Sequence, residues 1–226
     1  MSTTQTSRPA DPATRRSWLA PILAIAFALL FLVAFAGSDD ADPETAGAEL
    51  IAKHAKSDGA TFVAGTALII AAIALIFFGG WLRQMLRSKT ARPDWLPDVA
   101  FAGAIVHAVT LTIFVSAAKS VQDGISTGDA VIAQTLNIHD GNNFVTAMLG
   151  LACVLIATGV SAYHSGALPR WLAIASIVLG AMAPLGPGGF APFLLFPIWV
   201  IVVAFVATST RRHTNEVTVR ATPAMV

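Results

Sequence analysis

Five histidines and a single cysteine carry most of the chemistry open to this chain. His107 lies in the middle of an uncharged stretch, residues 99–118. An ionisable group there is expensive, and it faces protein or water rather than lipid. Gly103 four residues back and Thr110 three ahead share its helical face, and Ala100, Ala104 and Ala108 form a small-residue ridge suited to close helix approach. Two readings are open. His107 with Thr110 could titrate protons or contact a ligand, since histidine changes charge near neutral pH. Alternatively, His107 is a neutral side chain hydrogen-bonded to a neighbouring helix.

His54, His139 and Asp140 form a second group. With Asp58 or Glu49 they could make a His/carboxylate site of the kind that holds zinc, iron or copper. The spacing is not a ligand motif, and adjacent His-Asp side chains diverge on a helix, so surface side chains are the expectation. A haem needs two histidines at one membrane depth. His107 in mid-span and His164 at a span end are about 15 Å apart along a helix, and His54 and His139 match only at the rim. Cys153 sits among apolar residues and reads as an inert packing thiol. Being alone, it excludes an intrachain disulfide, a zinc ribbon and a single-chain iron–sulfur cluster. G-x-S-x-G, H-E-x-x-H and Walker A patterns are absent. The expectation is no catalytic residue, no cofactor and a protein that is not an enzyme.

The elements that position these residues follow from composition. Of 226 residues 55% are apolar and 12% charged, and the mean hydropathy is +0.70. The charged share is about half the usual ~25%. A disordered chain, a collagen-like chain and an ordinary soluble globule are excluded. The net charge of +1, with no basic stripe among aromatics, leaves nucleic acid without a surface. Uncharged stretches cover residues 17–38, 59–82, 99–118, 141–169 and 171–210, and a membrane span needs about 20 residues. The last stretch breaks at Pro184-Leu185-Gly186-Pro187-Gly188-Gly189 and divides into two. Six spans are predicted, about 17–37, 60–82, 98–118, 142–163, 168–185 and 190–209, between polar tails at 1–16 and 210–226. The fifth is the weakest: residues 171–185 make about 22 Å of helix, which also suits a short buried or re-entrant segment.

With the N-terminus inside, Arg8, Arg15, Arg16, Arg83, Arg87, Lys89, Arg92, Arg170, Arg211, Arg212 and Arg220 are all cytoplasmic, against Lys53, Lys56 and Lys119 outside. This asymmetry predicts that both termini are cytoplasmic. The first span also has a rival reading as a signal peptide ending at Ala34-Phe35-Ala36, but its apolar run exceeds the ~7–15 residues of a signal. The two longest loops fall outside. In the first, Asp42 before Pro43 reads as the cap of a helix over 43–57 that leads into the second span. In the second, Val131, Ile132, Leu136 and Ile138 follow Asp129 with the spacing of an amphipathic helix lying on the bundle or at the interface. Asn142 and Asn143 read as caps of the fourth span, and Asp98 as a cap of the third.

The second span ends in Trp81-Leu82-Arg83-Gln84-Met85-Leu86-Arg87, and later come Ala167-Leu168-Pro169-Arg170-Trp171-Leu172, Gly180 and Leu185-Gly186-Pro187. Over residues 17–209 this pattern resembles a family of uncharacterised six-span integral membrane proteins of bacteria, especially actinobacteria. The resemblance implies six spans and a bacterial inner membrane, and it carries over no site residue. The fold expected is all-α, a polytopic bundle of six transmembrane helices with two short amphipathic outer helices. The function expected is binding of a small apolar or amphipathic ligand, or of a membrane partner, from the outer side. The lipid bilayer is the first partner, and a second copy or another membrane protein are further ones. The rivals are a small-solute or proton-coupled transporter or channel using His107, and a metal-dependent membrane enzyme at His54, His139 and Asp140.

Overall fold

Inside hydrocarbon a backbone can satisfy its polar groups only within itself, as helix or closed barrel. The computed structural model describes residues 18–36, 45–54, 58–89, 94–185 and 189–221, and these contain helices and no strand. The helices among them are α1 Leu19–Ala36, α2 Gly47–His54, α3 Asp58–Arg87, α4 Leu96–Ser126, α5 Ala130–Asn142, α6 Phe144–Ser165, α7 Arg170–Met182 and α8 Phe190–Ala221. Five helical stretches are long and apolar enough to cross a membrane: Leu19–Ala36, Thr61–Arg87, Leu96–Ser126, Ala130–Ser165 and Phe190–Ser209. The protein is an all-helical bundle of membrane type. α7 is the exception. Its 13 residues make about 20 Å of helix, against a hydrocarbon core of ~30 Å. It starts after Pro169, which holds the N-cap in an extended conformation, and ends at Met182, inside the expected 168–185.

Neighbours in the bundle run α7, α6, α4, α3, α1, α8. Between α4 and α6 two glycines let the backbones touch. A Cβ on Gly103 would lie 2.6 Å from the Val154 nitrogen, and one on Gly150 would lie 2.5 Å from the His107 nitrogen. Without a water-driven hydrophobic effect between helices, close packing of this kind is what holds them together. α7 lies antiparallel on α6 in the same way. Gly159 abuts Ala173 and Ile177, and Gly180 abuts Leu155 and Ile156. The expected ridge of Ala100, Ala104 and Ala108 is fully buried, with Ala104 facing Gly79 of α3.

Both ends of α4 differ from expectation. Asp98 does not cap it. Its carboxylate accepts from Arg83 Nε at 2.5 Å and Arg87 Nη2 at 2.6 Å, tying α3 to α4. Asp94 does the capping instead: Oδ1 accepts from the Leu96 N–H at 3.0 Å while Oδ2 accepts from Ser161 Oγ of α6 at 2.8 Å. At the other end α4 does not stop near residue 118. It runs 31 residues, about 46 Å, and so rises beyond a ~30 Å hydrocarbon layer.

The rise builds a cap. α4 turns back through Gly128, whose φ of +73° suits a residue without a Cβ. Asp129 Oδ1 then accepts from Val131 and Ile132 N–H, starting α5. α5 descends against the top of α4 and passes into α6 through Asn143, so it continues a span rather than lying along the interface. Its buried stripe is accordingly Ala133 and Asn137, and Val131 and Ile138 are exposed. Asn143 sits at the junction in helical conformation with no capping hydrogen bond from its side chain. α2 packs across α5 and α4 around Leu50, Ile125 and Ala133. In the first loop the described helix is Gly47–His54, with residues 45–46 non-helical before it, and the rest of the expected 43–57, with the Asp42-Pro43 cap, lies outside the described residues.

Candidate ligand cavity

Where the cap meets the bundle, the helices leave a cavity of about 470 Å³. The volume lies within the range of small-molecule pockets, about 300–1,000 Å³. Its bundle side is apolar: Phe35 of α1, Leu68 of α3, Phe114 of α4, Phe144 of α6, and Phe190 and Phe193 of α8. Its cap side mixes Leu50, Val121 and Ile125 with the polar groups of Gln122, Asn137 and Asp140, and Thr61 joins from the top of α3. Ala64, Gly65 and Ala118 keep the space open, since larger side chains at those positions would occupy it.

Phe193 is the hub of the apolar side. Its ring centroid is 5.3 Å from Phe31, 5.3 Å from Phe35, 5.4 Å from Phe144 and 6.4 Å from Phe114. Several of these pairs meet at tilted or edge-on angles, which the ring quadrupole favours. The same ring also contacts His107, 6.0 Å away at 70°. Phe193 thus lines the cavity on one side and touches the bundle's buried histidine on the other.

His107 is fully buried. The Gly103–Gly150 contact brings α6 close enough for its Nδ1 to lie 3.1 Å from the Ala147 carbonyl oxygen. A carbonyl only accepts, so Nδ1 carries the proton. Phe196 meets the imidazole edge-on at 5.0 Å and 78°, and Nε2 has no hydrogen-bond partner among the described residues. Thr110 is buried on the same face, and its hydroxyl donates to the Val106 carbonyl of its own helix at 2.9 Å. Neither residue lines the cavity.

His139 is exposed, while Asp140 is half-buried and faces the cavity, so the adjacent pair diverges as helix geometry requires. The His54 side chain lies outside the described residues. Among the described residues no three His, Cys, Asp or Glu side chains are grouped to hold a metal ion. Deeper in the bundle, Trp199 Nε1 donates to Ser176 Oγ at 2.8 Å, joining α8 to α7.

Sequence reasoning missed Gln122, Asn137 and the phenylalanines as a group. A signal was available: Phe35, Phe114, Phe144, Phe190 and Phe193 all fall near the outer ends of their expected spans, so they share a membrane depth whatever the helix order. Comparison with protein-family models, with curated proteins and with solved structures finds no match.

Proposed function

We propose that this chain is a six-span bacterial inner-membrane protein that binds a small apolar or amphipathic ligand in the cavity beneath its outer cap. The observation that carries this reading is the cavity's two-sided lining, phenylalanines and Leu68 toward the bundle and Gln122, Asn137 and Asp140 toward the cap. An amphipathic molecule matches both sides at once.

Support for the sixth span comes from the register of α7. Gly180 lies against Ile156 of α6, Gly189 against Met148, and Phe190 against Phe144 at 5.9 Å. Residues 170–185 therefore climb beside α6 from its last residues, and residues 189 and 190 lie beside its first. Support for cytoplasmic termini comes from the basic residues, of which Arg83, Arg87, Lys89 and Arg170 lie at the end opposite the cap. The sequence resemblance to uncharacterised actinobacterial six-span proteins agrees with this topology.

The test is saturable binding of radiolabelled 4-nonylanisole, an apolar probe, to the protein in lipid nanodiscs, corrected for empty nanodiscs. Ala64→Phe places a ring in the cavity, and the expected outcome is at least a tenfold loss of affinity with folding intact. Equal binding by wild type and Ala64→Phe would remove the cavity as the site. A second reading, a proton-coupled carrier, is favoured by the burial of His107 at mid-bundle. It requires His107→Ala to change the pH dependence of solute flux in proteoliposomes.

A further inference from the structure

Buried polar atoms are nearly always paired, and one left unpaired in a native structure calls for an explanation. Nε2 of His107 is such an atom. With Nδ1 holding its proton against the Ala147 carbonyl, Nε2 of the neutral imidazole is a lone pair, an acceptor and not a donor. Its complement is an O–H or N–H group in a place walled by hydrocarbon. One of the two rings packed edge-on against the imidazole is Phe193, which also forms part of the cavity wall. A phenylalanine side chain has two rotatable torsions, and Phe193 is the ring that the imidazole and the cavity share.

We infer that Phe193 is a movable wall between the cavity and a deeper subsite, in which Nε2 of His107 accepts a hydrogen bond from a hydroxyl group on an otherwise apolar ligand. The ligand class is a lipophilic alcohol or phenol. This rests on the cavity being the ligand site and adds a requirement that the cavity alone does not impose. The cap-side groups Gln122, Asn137 and Asp140 meet whatever polar part faces outward, and His107 selects for a donor at the buried end. Selection of this kind comes from the hydrogen bond that the hydroxyl gains, because Nε2 is unpaired before a ligand enters and stays so with an analogue lacking the hydroxyl.

The experiment compares 4-nonylphenol with its methyl ether, 4-nonylanisole, in nanodiscs, each corrected for partition into empty nanodiscs. Wild type is expected to bind the phenol about tenfold more tightly than the ether. Phe193→Ala removes the wall and is expected to widen that ratio. His107→Phe keeps an aromatic ring in place but removes the acceptor, and the ratio should fall to one. His107→Gln, which retains an acceptor oxygen, should restore part of the preference and guards against a folding defect in the Phe variant. Equal binding of phenol and ether in wild type and in Phe193→Ala would overturn the inference, and so would a preference that survives in His107→Phe. Failure of Ala64→Phe to weaken the ether strikes the cavity reading instead, so the two failures are separable.

Discussion

At the scale of single residues, the bundle depends on where a side chain is absent. Gly150 and Gly80 are both helical glycines, yet their surroundings differ. A Cβ on Gly150 would press on the backbone of α4 at His107, 2.5 Å from its nitrogen and 2.9 Å from its Cα, whereas one on Gly80 would meet only a Phe101 ring carbon at 3.9 Å. Replacing Gly by Ala favours helix by about 1 kcal/mol, and overpacking costs about 1–3 kcal/mol. Gly150→Ala is therefore expected to lower the thermal midpoint in detergent, and Gly80→Ala to leave it unchanged or raise it. Gly150→Ala should also disturb the His107–Ala147 hydrogen bond, because α6 can make room only by moving away. The small-residue ridge near His107 was legible in the sequence, since Gly and Ala at helical spacing announce a close approach. Its partner helix was not legible, because Gly150 sits in a run of apolar residues with nothing to mark which neighbour it meets.

At the scale of elements, α7 is shorter than the helices beside it, and a buried polar link joins it to α8. Trp199 Nε1 donates to Ser176 Oγ, and the same hydroxyl donates to the Leu172 carbonyl at 2.7 Å. Ser176→Ala strands an indole N–H in a dry interior, where the cost is about 1–3 kcal/mol. A Ser176→Ala, Trp199→Phe double-mutant cycle, followed by unfolding in detergent, is expected to return a coupling energy of about 0.6–1.7 kcal/mol, the range such links reach within membranes. A coupling of zero would mean that packing alone holds α7 against α8. Element boundaries show what the sequence discloses at this scale. The apolar runs gave the spans because hydrocarbon demands them. The α4–α5 hairpin was misplaced because periodicity marks a buried face without saying what buries it. Val131 and Ile138 read as the inward face of a surface helix and are exposed instead, since α5 continues into α6 and turns Ala133 and Asn137 toward α2 and α4. The cavity was equally hidden, being assembled from the ends of five long helices and two cap helices that only tertiary contact brings together.

At the scale of the whole molecule, the parity of crossings decides which face of the membrane the cap occupies relative to the C-terminal tail. Lys119 is exposed near the cap and Lys89 is exposed at the opposite end of the bundle. Between Lys119 and the C-terminus the chain passes through the α5–α6 run, α7 and α8. If α7 carries the chain across, that makes three crossings and places the C-terminus opposite Lys119. If α7 re-enters and returns, there are two, and the C-terminus shares the side of Lys119. The register of α7 on α6 and the pair Arg211-Arg212 beyond the last span both favour three. In a Cys153→Ala background, a membrane-impermeant maleimide applied to intact cells is expected to label Lys119→Cys and to spare both Lys89→Cys and a cysteine appended to the C-terminus until the cells are permeabilised. Labelling of the C-terminal cysteine together with Lys119→Cys would reduce the count to five and make α7 a re-entrant element. The cavity would then lose Phe190 and Phe193 from its lining, because α8 would begin at the end opposite the cap, and the positive charges at the C-terminal end of α8 would need another explanation.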